Sequence, residues 1–381
     1  MRVFFITHTY ALGGSGGGEQ FVSNFLAELR KRKHEVFVFT AGGTGFERQE
    51  KELGLQVYHC PAFGHHAFHK YEYVLLSWKA AMLAKEFTPD VIHAQNDVFP
   101  GLIGSVVKWQ TKKPLVLAVE YLSEQAVSLN LKLVFALNKF FLPKVPFDAV
   151  VSWSKFVVDK FFVPWGIPGE KIHIIPGAVN VKQFAKKVKP HPKLAKLGKS
   201  LIVSAKPLHS TNAEGITYIV KAMAIVAKKH PEWKYVVVGE GQSRPALEKL
   251  VNELGLQDNV ILFGALPNSE IPSVYAAAEI VAHSFAFKAT TSIALMESMA
   301  AGKAIVATDS GEVKPTLGET GLLPKQKDEK SIAAALLAFI ESPALRREKG
   351  LAAQKKALKE YGIESVVDKF LDVYKRVGNA K

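Results

Sequence analysis

The chain has 381 residues, 48% of them hydrophobic and 22% charged, enough for two ordinary α/β domains and unlike a disordered or low-complexity protein. Lys and Arg number 49 against 35 acids, a formal net charge of +14. That charge suits phosphorylated substrates, an anionic membrane surface, nucleic acid, or only the Lys-rich surface of a basic proteome or a thermophile. No zinc-finger, RNA-recognition or other nucleic-acid motif is present, so nucleic acid is set aside as a partner.

The opening MRVFFITHTY enters a short strand at once, without the longer apolar core or the cleavage site of a signal peptide. No apolar run is long enough to span a bilayer. Cys60 is the single cysteine, so no intrachain disulfide can form and a reducing compartment fits. A soluble, cytoplasmic protein is expected. RVFFITHT reads as a buried strand, EQFVSNFLAELRKRK as an amphipathic helix and HEVFVFTAGG as the next strand. DVIHAQND, PLVLAVEY, FDAVVSWS and EKIHIIPGAVN continue the strands. This repetition predicts a parallel sheet covered on both faces, with binding sites at the carboxyl ends of its strands.

Between about Lys182 and Lys199 the pattern breaks. KQFAKKVKPHPKLAKLGKS is rich in Lys and Pro and reads as a linker at a domain boundary. The alternation restarts with SLIVSAK, a helix near GITYIVKAMAIVAKKH, WKYVVVGEG, a helix near PALEKLVNELG, NVILFGAL, AEIVAHS and KAIVATDS; IESVVDKFLDVYKRV is a terminal helix. The expected architecture is α/β, with two doubly wound domains facing a central cleft: residues 1–185, residues 198–362, and a helix over 363–381.

Taken in order, GGSGGGEQFVSNFLAELRKRKHEV, DVIHAQND, IIPGAVNVKQF, VVVGEGQSRPALEKL, NVILFGALPNSEIPSVYAAAEIVAHS and ESMAAGKAIVATDSG resemble the retaining glycosyltransferases of family 4 (group 1) over nearly the whole chain. The resemblance implies a GT-B fold of two Rossmann-like domains, with the acceptor side in the first and the nucleotide sugar mainly on the second. It also implies that the segment after about Ile363 crosses back onto the first domain. The chemistry it implies is transfer from a nucleotide-diphosphate sugar to a glycan or lipid-linked acceptor with retention of configuration, using no metal and no other cofactor.

GGSGGGE, Gly13 to Glu19, joins the first strand to the first helix. Its glycines allow a tight turn and close backbone approach, and the helix start favours an anion. The family likeness places Gly14, Gly17 and Gly18 beside the donor diphosphate. A ligand-free turn is the plain alternative, and a dinucleotide site is a weaker rival: the spacing is not GxGxxG, and VFVFTAGG does not end on an acid. LAVEYLSEQ ends a strand on Glu120, with Tyr121 beside it, where many family members carry a histidine. A carboxylate there can bind acceptor hydroxyls or take the acceptor proton; the alternative is a solvated loop acid.

In SAKPLHSTNAEGITYIVKA, Lys206 stands at the family's arginine on the diphosphate. It keeps a cation but loses the planar fork, unless it is an ordinary exposed lysine. Glu214 stands at the family's lysine and would repel a diphosphate unless it points away; the segment is also longer than the family's, which offers His209 or Ser210 as compensating groups. The resemblance implies that Gly239 and Gly241 give the base and ribose room and that backbone around Gly264 to Leu266 reads the base, although glycines at strand ends are common. In FKATTSIALMESMAAGKAIVATDSG, Ala289, Thr290, Thr291 and Ser292 are expected to form a helix's first turn. Its unpaired N–H groups and three hydroxyls make a phosphate cradle, although Thr and Ser are also ordinary caps. By resemblance Glu297, about two turns on, grips the ribose hydroxyls, and Ala289 occupies the place of a second acid near the donor sugar. The alternative for Glu297 is a helix acid paired with a neighbouring Lys.

HHAFH (His65, His66, His69) has metal-like spacing but no nearby acid or Cys with an obvious ligand role, and reads as surface or loop histidines. Val127 to Phe147 mixes Leu, Val and Phe with Lys132, Lys139 and Lys144 and has no acid. That suits either an anionic membrane surface or a core helix with solvated lysines. A retaining, metal-independent glycosyltransferase is the leading expectation. A degenerate homologue that binds a partner with little turnover is the rival, motivated by Ala289, Glu214 and Glu120. A two-lobed solute-binding protein would need export, and no signal is seen.

Overall fold

The structure, a computed structural model, describes residues 1–8, 17–41, 50–51, 53–60, 75–120, 122, 129–185, 188–286 and 292–379. The chain divides into two compact units, Met1–Ala178 with Ile363–Lys381, and Val179–Gly362.

The first unit is built on a seven-stranded sheet in the order β3-β2-β1-β4-β5-β6-β7. Its strands are β1 (Arg2–Thr7), β2 (Glu35–Ala41), β3 (Gln56–Cys60), β4 (Val91–Asn96), β5 (Leu115–Val119), β6 (Ala149–Ser152) and β7 (Ile172–Ile174). Every pairing is parallel. Parallel strands are covered on both faces, and the sequence complies: Val3, Phe4, Phe5 and Ile6 are all wholly buried. The helices around it include α1 (Gly17–Lys31), α2 (Ser77–Phe87), α3 (Val98–Thr111) and α4 (Leu129–Phe141).

The second unit has a five-stranded parallel sheet, β10-β9-β8-β11-β12. Its strands are β8 (Leu201–Ala205), β9 (Lys234–Val238), β10 (Val260–Gly264), β11 (Ile280–His283) and β12 (Ala304–Ala307). Its helices include α5 (Ser210–Lys229), α6 (Arg244–Glu253), α7 (Ile271–Ala277), α8 (Ile293–Ala300), α9 (Glu329–Glu341) and α10 (Pro343–Glu360).

The final helix, α11 (Ile363–Asn379), belongs to the first unit. Its Phe370 meets Phe25 of α1 edge-on with ring centroids 5.0 Å apart. Arg32 at the end of α1 donates to the Glu364 carbonyl at 2.8 Å and also pairs with Asp368.

Two expectations change. The Lys- and Pro-rich stretch after Lys182 is not a free linker but packed structure of the second unit. It carries short helices at Val181–Ala185 and Pro192–Ala195. Leu194 is wholly buried, and His191 donates its N–H to the Ser273 carbonyl at 2.9 Å. A few anchors suffice in such short turns, so no long apolar period marks them. The second change is at α8, which begins at Ile293 rather than near Ala289. Ser292 is extended (φ −116°, ψ 112°), and its hydroxyl accepts from the Leu295 N–H at 3.3 Å. Ser292 is thus the cap outside the helix and not part of its first turn, and Glu297 lies just past the first turn.

Strand order reverses between β1 and β4 in the first sheet and between β8 and β11 in the second. In open α/β sheets such reversals are where ligands bind, outside the carboxyl ends of the strands.

Candidate active site

At the first reversal, β4 ends in Gln95 and Asn96, and the neighbouring β5 runs out into Glu120. One oxygen of the Glu120 carboxyl, Oε1, accepts from Gln95 Nε2 at 2.6 Å and from Asn96 Nδ2 at 3.1 Å. The Asn96 amide is aimed by its other end, where Oδ1 accepts from the Thr7 hydroxyl at 2.6 Å. Asn96 adopts φ 106°, a left-handed conformation uncommon for a residue with a side chain. The second oxygen, Oε2, faces α1: a Cβ on Gly18 would lie 2.6 Å from it. A glycine there lets the carboxylate approach the helix start.

Glu120 is therefore not a solvated loop acid. Burial raises its pKa to about 7; the two amides pull it back down, and nearby Asp97 pushes it further up. Asp97 caps α3 through Phe99 N–H at 3.0 Å and lies 3.7 Å from His8 Nδ1.

At the second reversal, Lys206 follows β8 and is 8% exposed, so it is not an ordinary surface lysine. Its ammonium sits 3.9 Å from the centre of the Phe285 ring and 3.4 Å from the Ser284 carbonyl. No carboxylate among the described residues pairs with it. Burial lowers its pKa to about 7. His283, at the end of β11, is held neutral by burial and by the Lys206 charge, and its Nε2 lies 3.0 Å from the Ser298 hydroxyl.

Glu297 on α8 is half-buried; its carbonyl accepts from the Ala301 N–H at 2.9 Å, but no described residue forms a hydrogen bond or ion pair with its carboxyl. Burial raises its pKa to about 8. The reading as a helix acid paired with a Lys finds no such partner among the described residues. Glu214, the acid at the family's lysine position, pairs with Lys327 at 2.7 Å. His209 is exposed and gives α5 no side-chain cap.

At Gly239 and Gly241 the room for a side chain is taken by protein backbone. A Cβ at Gly239 would lie 1.8 Å from the Lys206 carbonyl oxygen, and one at Gly241 2.5 Å from that of Leu208. Lys206 N–H donates to Val238 and Leu208 N–H to Glu240, at 2.9 and 2.8 Å. These glycines let the loop after β9 lace onto the loop carrying Lys206. Leu266 is half-buried just after β10, and Gly17 is exposed at the start of α1. Gly14, Tyr121, Ala289, Thr290, Thr291, His65, His66, His69 and the side chain of Ser210 lie outside the described residues. Among the described residues, no group of three or more His, Cys, Asp and Glu could hold a metal ion.

DVIHAQND reads as a strand, and its pattern alone assigns no role to Gln95, Asn96 or Asp97. Three polar residues closing a buried strand were the available signal. Nothing local pointed to Phe285 under Lys206, or to Lys327 beside Glu214.

Comparison with known proteins places the family and the fold. The family model described as Glycosyltransferase Family 4 matches residues 15–183, and the one described as Glycosyl transferases group 1 matches residues 186–356. The alpha-monoglucosyldiacylglycerol synthase of Streptococcus pneumoniae is 25% identical over 359 residues, covering 90% of this chain and 79% of that protein. A solved glycosyltransferase from Rickettsia africae superposes with a TM-score of 0.81 at 18% identity, covering 100% of this chain and 99% of that one. HepE of Anabaena, solved in complex with UDP and glucose, gives 0.76 at 19% identity over 98% of this chain and 99% of its own. With its two parallel sheets, each opening a polar site at its strand reversal, the chain belongs to the group 1, family 4 glycosyltransferases of GT-B fold.

Proposed function

We propose that the protein is a retaining, metal-independent glycosyltransferase that takes a nucleoside-diphosphate sugar and glycosylates a hydroxyl of a glycan or lipid-linked acceptor. The observation that carries this reading over a degenerate binding protein is the cradle of Glu120. Two amides, a strained backbone at Asn96 and a glycine on the facing helix all serve one acid whose pKa lies near neutrality.

In the proposed step the acceptor oxygen bonds to the anomeric carbon as the bond from that carbon to the diphosphate breaks. The electron pair leaves with the diphosphate. The acceptor proton passes to Glu120 Oε2. Lys206 and backbone N–H groups stabilise the charge that develops on the leaving diphosphate, and retention brings the acceptor in on the face the diphosphate leaves. UDP and glucose bound to the Anabaena protein, and the diacylglycerol in the streptococcal relative's name, support a nucleotide-sugar donor and a lipid-type acceptor.

Thermal shifts with UDP, GDP, ADP and their sugar conjugates test the reading. One nucleotide series is expected to stabilise the protein, and silence from all of them would favour the degenerate reading. With the nucleotide identified, Glu297→Ala is expected to weaken its binding by roughly 1.5–3 kcal/mol through loss of charge-assisted hydrogen bonds to the ribose. Calorimetry that gives equal affinities would remove Glu297 from the site.

We also propose a peripheral position on the cytoplasmic face of an anionic membrane. In α4 and the turn after it, Lys132, Leu133, Lys139, Phe140 and Lys144 are exposed, while Phe135 and Leu137 pack against the core. The Lys144 ammonium rests 3.2 Å from the centre of the Phe140 ring. No described helix is long and apolar enough to cross a membrane. Each lysine near an anionic surface contributes about 1 kcal/mol. Replacing Lys132, Lys139 and Lys144 by Glu should therefore abolish co-sedimentation with anionic liposomes at low salt; wild-type protein that stays in the supernatant refutes the proposal.

A further inference from the structure

Behind Glu120 lies a line of buried polar side chains that neither donor nor acceptor chemistry uses. His93 and Gln95 project from the same face of β4, and both are wholly buried. His93 is packed among aromatic rings, stacked 4.5 Å from Phe5 and meeting Tyr374 edge-on at 5.8 Å. Its Nε2 lies 2.6 Å from Gln95 Oε1, and its Nδ1 is hydrogen-bonded to the Tyr374 hydroxyl. Gln95 Nε2 then donates to Glu120 Oε1. The line joins α11 to the end of β5 within the first unit, across 281 residues of sequence between His93 and Tyr374.

The line has one satisfied direction. The Tyr374 hydroxyl is buried and has no other partner among the described residues, so its hydrogen is placed only when it donates to His93 Nδ1. His93 then carries its proton on Nε2 and donates to Gln95 Oε1, which turns the Gln95 amide N–H towards Glu120. In the reverse direction the Tyr374 hydrogen is orphaned, and the Gln95 carbonyl oxygen faces a carboxylate oxygen, which is tolerable only if Glu120 is protonated on Oε1. The Thr7 hydroxyl donates to Asn96 Oδ1, which leaves the Asn96 amide N–H towards Glu120 in the same direction. Burial keeps His93 neutral, with a pKa lowered to about 4, so the direction holds throughout the neutral range.

We propose that Tyr374, His93 and Gln95 are positioning residues that fix Glu120 Oε1 as an acceptor and leave Oε2, against Gly18, as the oxygen that takes the proton. This rests on Glu120 being the acid that serves the acceptor. Among the described residues, the titratable groups on the elements around it are Asp97 after β4, His8 beyond Asp97 after β1, and Glu19 next to Gly18 on α1. No described Lys or Arg pairs with Glu120, so the amide donors are what hold its charged form. Weakening the line disfavours that form and moves the Glu120 titration to higher pH.

The test uses the full chain with Tyr374→Phe and Gln95→Leu, each checked for folding by circular dichroism. Phe keeps the ring that packs on His93 and Phe370. Glu120 is titrated by difference infrared spectroscopy of its carboxyl stretch, the band being assigned by its absence in Glu120→Gln. The pH profile of turnover is recorded alongside. Both variants are expected to raise the midpoint by about one pH unit, tenfold in proton affinity, and to move the acid limb of the profile with it. Should one variant not fold, the other decides. A midpoint equal to wild type in the folded variants overturns the proposal. If Glu120→Gln keeps full turnover while the midpoints still move, the line stands and the chemical role of Glu120 falls.

Discussion

Glu120→Gln is expected to lower turnover by about 10²–10⁴-fold, the usual contribution of a positioned general base, with nucleotide affinity and fold retained. Gln is close to isosteric. Its Oε1 still accepts from Gln95 and Asn96, and only the group facing Gly18 changes from an oxygen to an amide. What disappears is the group whose pKa lies near 7, poised to receive a proton.

Stability supplies a second readout. The folded pKa of Glu120 lies above its ordinary value of 4.5. Its contribution is thus fully present below about pH 4.5 and is lost as the pH rises through about 7. Gln does not titrate, so the variant's melting temperature should gain on wild type between pH 5 and pH 8. A variant that keeps turnover would show that Glu120 is not the acid that serves the acceptor.

Lys206→Met is expected to cost about 10²–10³-fold in turnover, the range for losing one preorganised group that stabilises developing negative charge. It should also weaken binding of the diphosphate. The fold should survive, because Met fills most of the same volume over the Phe285 ring and no described carboxylate loses a partner. The apo protein should be at least as stable as wild type at neutral pH. Lys206 is depressed from 10.5 to about 7, so the unfolded chain binds more protons between those values. Its contribution to stability falls away as the pH drops through about 7, and Met abolishes that dependence.

A bound diphosphate draws a proton back onto the lysine. Wild-type affinity should therefore fall as the pH rises above about 7, with net proton uptake in calorimetry across buffers of different ionisation enthalpy. Lys206→Met should remove the part of that uptake due to Lys206. An unchanged uptake would place the diphosphate elsewhere.

The family was legible in the ordered motifs that resemble it, from GGSGGGEQF to ESMAAGKAIVATDSG, and the α/β fold class because parallel strands buried on both faces must be near-continuous apolar runs. VFFI in β1 and YVVV in β9 are such runs, and the polar helices between them leave few other folds. Glu120, Lys206 and Glu297 were legible as candidates because each interrupts or follows such a run. Their states were not. Whether Lys206 is a surface lysine or a buried cation depends on Phe285 and Ser284, some 80 residues away and brought beside it by the pairing of β8 with β11.

The start of α8 was misplaced because Thr and Ser serve equally as caps and as first-turn residues, and only the backbone angles of Ser292 separate the two. The amides that hold Glu120 come from β4, a different strand, and the line behind them ends on Tyr374 in the last helix. Local sequence sets which residues prefer strand or helix and which are apolar. Which buried polar groups satisfy one another, and so where a proton rests, depends on contacts between distant segments that exist only once the sheet has formed.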